Sequence, residues 1–260
     1  MKSILVLLVT ILVFSSCEKV IDLDLTSSSS QLVIEGNITD QAGPYYVKLT
    51  KSVPFDESSN YPVVEDALVV ISDNAGVTDT LTYTADGIYQ TNILQGVPGR
   101  TYTLEVVTEG KSYAAESLMA PYVAFDSIRV SAFEFAGTIQ NVIVPVYKDP
   151  VNVGNNYFFV LKVNDVLDNS YMLWNDNTNN GILNQRPLNT RTTIESGDNI
   201  SLEMQSLNID DYNYYFTLSQ IAGNGPGGGT TPTNPPNNIT GGALGLFSAH
   251  TSQTKTTVIP

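Results

Sequence analysis

Tyr45-Tyr46-Val47-Lys48-Leu49-Thr50-Lys51-Ser52-Val53 places Tyr45, Val47, Leu49 and Val53 on one side of an extended chain and Tyr46, Lys48, Thr50 and Ser52 on the other. A period of two is the mark of a strand buried on one face. The same alternation returns in Tyr102, Leu104 and Val106 against Thr101, Thr103 and Glu105, while residues 67–71 form an unbroken apolar run suited to a central strand. Turn signals at Asn74-Ala75-Gly76, Asp86-Gly87, Pro98-Gly99 and Glu109-Gly110 fall every 11 or 12 residues. That rhythm predicts a β-sandwich. A strand is also expected to begin at Leu32-Val33-Ile34.

Outward from this stretch toward the N-terminus, residues 17–30 read as a tether ending in four serines, with an edge strand possible at 20–25. Before it stand Met1-Lys2-Ser3, eleven residues (4–14) apolar except for Thr10, and then Phe14-Ser15-Ser16-Cys17. A basic start, a short apolar run and small residues before a break make a secretory signal peptide, residues 1–16. Eleven residues rise about 16 Å as a helix, too little for a hydrocarbon core of about 30 Å. Phe14-Ser15-Ser16-Cys17 resembles a bacterial lipobox, with Phe14 where Leu is more usual. That resemblance implies lipidation of Cys17, cleavage before it and acylation of the new amine. Glu18 after Cys17 fits passage to the outer membrane better than retention at the inner one, for which Asp is the commoner signal. The cell surface is the expected location, with the periplasmic face as the alternative.

Toward the C-terminus a boundary is expected at Met119-Ala120-Pro121, dividing a sandwich over 31–118 from a β-rich domain over 119–260. Strands are expected at 127–133, 142–147, 157–163, 171–174, 192–195, 200–204 and 243–249, with Val258-Ile259 ending another. Asp210 and Asp211 would cap a helix over 212–221, because a carboxylate there accepts from unpaired backbone N–H groups. A Tyr-rich strand is the alternative for that segment. Residues 223–238 hold Gly, Pro, Asn and Thr without an apolar side chain other than proline and read as a mobile loop.

The stretch from Val64 through Gly87-Ile88-Tyr89 to Gly96-Val97-Pro98-Gly99-Arg100-Thr101-Tyr102-Thr103-Leu104 resembles a carboxypeptidase-regulatory or transthyretin-like domain, which implies a small accessory sandwich without catalytic residues. Over a longer span, Cys17-Glu18-Lys19-Val20-Ile21-Asp22-Leu23, Leu32 through Asp40, Asp149-Pro150 before Asn156-Tyr157-Phe158, and Asn234 through Ile239 leading to Gly241-Gly242-Ala243-Leu244-Gly245-Leu246-Phe247-Ser248-Ala249 resemble the lipoproteins catalogued as domain of unknown function 4249. The resemblance implies an accessory role beside a TonB-dependent outer-membrane transporter in nutrient capture or uptake. It names no ligand.

Chemistry is sparse. The net charge of −14 repels nucleic acid and anionic headgroups, and removing Lys2 from the 12 basic residues leaves 11 against 26 acidic ones. His250 is the single histidine, and no Gly-x-Ser-x-Gly elbow exists to present a serine to it. One histidine and a lipidated cysteine leave only carboxylates for zinc. Asp176, Thr178 and Asn180 place oxygens at alternate positions before Gly181, as a calcium loop does, but the later bidentate Glu falls on Pro187. A hairpin turn at Asn180-Gly181 is the simpler reading. Trp174 near Tyr171 would stack on a sugar or contact a peptide if exposed, or pack in the sheet if not. Asp79-Thr80-Leu81 and Asp126-Ser127-Ile128 resemble a bacterial O-glycosylation sequon. The expectation is thus a mainly β protein: an N-terminal transthyretin- or immunoglobulin-like β-sandwich, then a larger β-sandwich or partly closed barrel with one short helix. It is expected to be non-catalytic, without cofactor or metal, bound to the membrane by lipid. Its partner would be a transporter; the alternative is an independent cell-surface module binding glycan or protein.

Overall fold

The computed structural model describes residues 30–54, 60–135, 137–152, 154–177, 180–223 and 234–260. The expected signal peptide, Cys17, the edge strand at 20–25 and most of the 223–238 loop lie outside them. Alternation in the sequence becomes alternation in burial: β1 (Leu32–Thr39) and β2 (Tyr46–Lys51) bury Ile34, Ile38, Val47 and Leu49 and turn Glu35, Tyr46 and Lys48 outward. The chain continues through β3 (Leu68–Asp73), β4 (Thr78–Thr80), β5 (Thr82–Tyr83), β6 (Ile88–Gln90), β7 (Thr101–Thr108) and β8 (Lys111–Leu118). It then makes β9 (Phe125–Phe135), β10 (Thr138–Tyr147), β11 (Asn156–Val163), β12 (Val166–Leu167), β13 (Met172–Asn175) and β14 (Asn199–Leu207). Helix α1 (Ile209–Gly223), β15 (Ile239–Thr240) and β16 (Leu244–Val258) complete it.

A nine-stranded sheet runs β12-β11-β14-β16-β1-β2-β6-β5, with β13 pairing β11. A five-stranded sheet, β15-β8-β7-β3-β4, faces one end of it, and the β9–β10 ribbon faces the other. Among the described residues no sheet closes, so the architecture is sandwich-like rather than a barrel. The four turn signals all turn, with positive φ at Gly76, Asp86, Gly87, Gly99, Glu109 and Gly110. At Gly87 a side chain is impossible, since a Cβ would lie 2.4 Å from the Leu49 carbonyl oxygen that closes against this turn.

Two apolar cores result. The first joins Ile34, Ile38, Leu49 and Tyr89 of the long sheet to Ile71, Tyr102 and Leu104 of the five-stranded sheet, and it also takes Ile239, Ala243, Phe247 and Ala249. The second gathers Phe159, Leu161, Leu202 and Met204 against Phe125, Ile143 and the loop residues Leu188 and Ile194. The first core takes residues from Leu32 to Met119 and the second from Val123 to Met204, and both return to the C-terminal segment, as Ile239 to Ala249 and as Ile259. There β16 pairs parallel with β1 over Leu244 to His250 and antiparallel with β14 over Thr251 to Val258, so one strand serves both.

Three expectations are corrected. Residues 192–195 form no strand, because the Arg191 and Thr192 N–H groups donate to Asp168 Oδ2 and the Glu195 N–H to Asp198 Oδ2; carboxylates satisfy donors a ladder would have used. The two strands expected at 243–249 and ending at 258–259 are one, β16 (Leu244–Val258), whose threonine-rich second half is held by β14. Gly181 does not close a hairpin between adjacent strands. Its N–H donates to Pro150 O at 3.1 Å and Asp149 Oδ2 at 3.2 Å, and the bridge beyond it is Lys148–Leu183. No helix among the described residues is long and apolar enough to cross a membrane.

Candidate functional site

Helix α1 lies on the face of the long sheet opposite the cores. Its cap is Asn208, not the expected Asp210 or Asp211: Asn208 Oδ1 accepts the Asp211 N–H at 2.9 Å. The Asn208 amide also donates to Ser117 Oγ at 2.9 Å and Leu118 O at 3.1 Å, tying the helix start to the end of β8. Asp211 then sits in the first turn, fully buried. Ser248 Oγ is 2.5 Å from Asp211 Oδ2 and 2.9 Å from His250 Nδ1. Ser248 and His250 share this face because they stand two apart on β16. Burial drives both groups toward neutrality: Asp211 is pushed up to about 7, and His250 down to about 4. Asp211 Oδ1 has no partner among the described residues, which favours the uncharged acid. The serine, not the imidazole, occupies the middle of this row. That order differs from a Ser-His-Asp relay, where histidine bridges the other two.

Aromatic side chains surround the helix. Phe158 of β11 stacks on Tyr215 at 4.9 Å and on Tyr171 at 6.3 Å, and Tyr212 on Phe216 at 5.9 Å. Each such contact fixes ring orientation as well as burying area. Two open grooves flank the helix. One, of about 530 Å³, is lined by Glu35, Tyr46, Lys48, Tyr214, Leu218 and Leu246. The other, of about 380 Å³, is lined by Tyr171, Trp174, Arg186, Asn189, Arg191 and Ser219.

The sequence candidates separate here. Trp174 points into the second core, 8% exposed, against Phe159 at 4.8 Å, with the Arg186 guanidinium over its ring, 5.0 Å from the centroid. It is therefore the packed tryptophan, reaching the groove only at its margin. Tyr171 is 38% exposed and belongs to the groove wall. Asp176 is buried, accepting the Asn155 N–H at 3.1 Å, whereas Asn180 is exposed; Thr178 lies outside the described residues. Among the described residues no three His, Cys, Asp or Glu side chains converge as a metal site would need. Of the two sequon-like sites, Thr80 and Ser127 are exposed on strands, but Asp79 is buried with Oδ2 accepting the N–H groups of Asn92, Ile93 and Leu94.

Arg186 and Arg191 were not singled out in the sequence. The signal was present, since two of only four arginines stand five residues apart in a strongly acidic chain. The 248-250 pair was visible as an alternating Ser-Ala-His, but its carboxylate partner lies 37 residues away.

The motif pieces quoted above also meet in space. Tyr157 O–H donates to Asp149 Oδ1 at 2.5 Å, and Asn238 Nδ2 donates to Phe247 O at 2.6 Å while its Oδ1 accepts the Phe247 N–H. A comparison with curated proteins gave no match. The family model described as Domain of unknown function (DUF4249) matches residues 18–256, nearly the whole chain. This protein belongs to the DUF4249 family.

Proposed function

We propose that this protein is a non-catalytic outer-membrane lipoprotein that presents the face around α1 for binding and works as the partner of a TonB-dependent transporter in nutrient capture or uptake. The observation that carries binding over chemistry is the pair of open grooves beside α1, walled by aromatic side chains on a rigid sheet. The lipobox-like Phe14-Ser15-Ser16-Cys17 supports anchoring through Cys17, and the transporter as partner is what the family resemblance read from the sequence implies. An independent surface module that binds glycan or protein is the second reading, favoured by the exposed ring of Tyr171 in the smaller groove.

A gentle-detergent pull-down of tagged, lipidated protein from its own outer membrane tests the first reading. A near-stoichiometric TonB-dependent transporter is the expected companion. A clean monomer, after cross-linking as well, would transfer the proposal to the independent module. Protease treatment of intact cells tests surface exposure, and full protection would place the protein on the periplasmic side.

A further inference from the structure

We propose that the groove between β13, the 184–192 loop and α1 binds an acidic saccharide, with Arg186 and Arg191 holding its carboxylate and a sugar ring lying against Tyr171. The inference deepens the binding reading and rests on it, but not on the lipid anchor or the transporter.

The loop that carries both arginines is built, not draped. Asn184 is buried; its N–H donates to Tyr147 O at 2.8 Å, its Nδ2 to Pro145 O at 2.6 Å, and its Oδ1 accepts the Arg186 N–H at 3.3 Å. Four residues on, the Leu188 N–H donates to Ile143 O at 2.8 Å and its side chain enters the second core. Asp168 then holds the far end, Oδ2 accepting the N–H groups of Arg191 at 3.0 Å and Thr192 at 2.8 Å. Three anchors within nine residues fix the backbone at each arginine. Arg186 is further held over the Trp174 ring, which orients a guanidinium without consuming its hydrogen-bond donors.

Neither guanidinium forms an ion pair among the described residues; Lys51–Glu109 and Arg100–Asp73 are the pairs found there. The near acid is Asp168, and its charge is already met. Burial works to raise its pKa, but hydrogen bonds from Ser170 and Thr192 outweigh that and hold it below the usual carboxylate range. Two unpaired cations thus line one small groove of a chain whose net charge is −14. Such forks suit a carboxylate, which each can grip through two parallel hydrogen bonds.

The rest of the lining selects among anions. Tyr171 lies nearly parallel to Phe158, at 12°, so its ring is held flat at the groove wall and offers a surface for the C–H face of a pyranose. Ser170, Asn189 and Thr190 supply the short neutral donors and acceptors that sugar hydroxyls require. At about 380 Å³ the hollow is at the small end of ligand pockets, fitted to the end of a short saccharide.

Trp174 is the single tryptophan, so the site carries its own reporter. Full-length protein in mild detergent is titrated with trigalacturonate while indole emission is followed. The expected result is a saturable change that weakens with added salt, at least about tenfold weaker in R186Q/R191Q and several-fold weaker in Y171A. Circular dichroism identical to the parent establishes that the variants are folded; the three side chains are partly or fully exposed, so folding is expected to survive. Absence of saturation up to about 10 mM, or an unchanged titration in R186Q/R191Q, overturns the proposal. Equal binding of neutral maltotriose overturns the role of the arginines, and tighter binding of an acidic peptide overturns the saccharide. The transporter pull-down can fail while this titration succeeds, and the reverse, so the two proposals fall separately.

Discussion

Asp211 and His250 titrate in opposite senses, and Ser248 joins them. His250 has a folded pKa of about 4 against 6.5 free, because burial penalises the imidazolium. As pH falls through that window the unfolded chain takes up a proton that the folded one refuses, so stability drops by roughly 3 kcal/mol. Asp211 has a folded pKa of about 7 against 3.8 free, again through burial. Here the folded chain takes the proton first, and stability rises by roughly 4 kcal/mol as pH falls from 7 to 3.8. Between pH 4 and 6.5 the two nearly cancel. D211N removes the rising half. Its urea midpoint, measured against the parent at each pH, is expected to fall progressively from pH 6.5 to 4, and H250Q is expected to gain over the same range. Parallel profiles for parent and D211N would show that the pair does not set this balance.

Among the elements, β16 depends on one residue. Gly245 has φ +106°, and a Cβ there would meet the Ile34 carbonyl oxygen at 2.0 Å and the Ile34 nitrogen at 3.0 Å. Both the conformation and the backbone contact exclude a side chain, so G245A is expected to cost roughly 3 kcal/mol or more, read as a lowered urea midpoint. A loss within about 0.5 kcal/mol, the range of ordinary surface changes, would contradict this. The strands themselves were legible because burial on one face imposes a period of two, as in Tyr45 to Leu49 and Tyr102 to Val106. The helix was legible from Tyr212, Tyr215 and Phe216, but its cap was assigned two residues late. Asp210 and Asn208 have the same capping chemistry, and only the contact of Asn208 with Ser117 and Leu118 distinguishes them. Residues 192–195 looked like a strand because propensity is local, whereas the Asp168 carboxylate that takes the Thr192 N–H arrives from 24 residues away. The smaller groove was half legible for the same reason. Tyr171 could be read as a candidate, but the arginines reach it only through Asn184, Leu188 and Asp168.

At the scale of the whole molecule, the long sheet passes behind both cores, and β16 adds Phe247 and Ala249 to the first before pairing β14 at the second. Damage to one core should therefore be felt in the other. Phe247 is fully buried in the first core, and F247A is expected to cost roughly 3–5 kcal/mol. Trp174 reports from the second core. Its emission in F247A should lose its folded signal at the same lowered temperature as the far-ultraviolet circular dichroism. A Trp174 transition left at the parental temperature would show instead that the two cores melt separately.

The parallel pairing of β1 with β16 also orders events in time. Val33 of β1 finds its partner in Leu244, so the chain must be present as far as Leu244 before β1 can take its place in the long sheet. The β3–β7–β8 pairings need only residues 68–118, yet one side of β1 stays open until β16 is available. Pairings this distant in sequence are slow to close, and the waiting edge of β1 is a template for the wrong strand. Closure of the long sheet thereby waits on β16, and a holding chaperone that shields β1 would do more for yield than any catalyst of local folding.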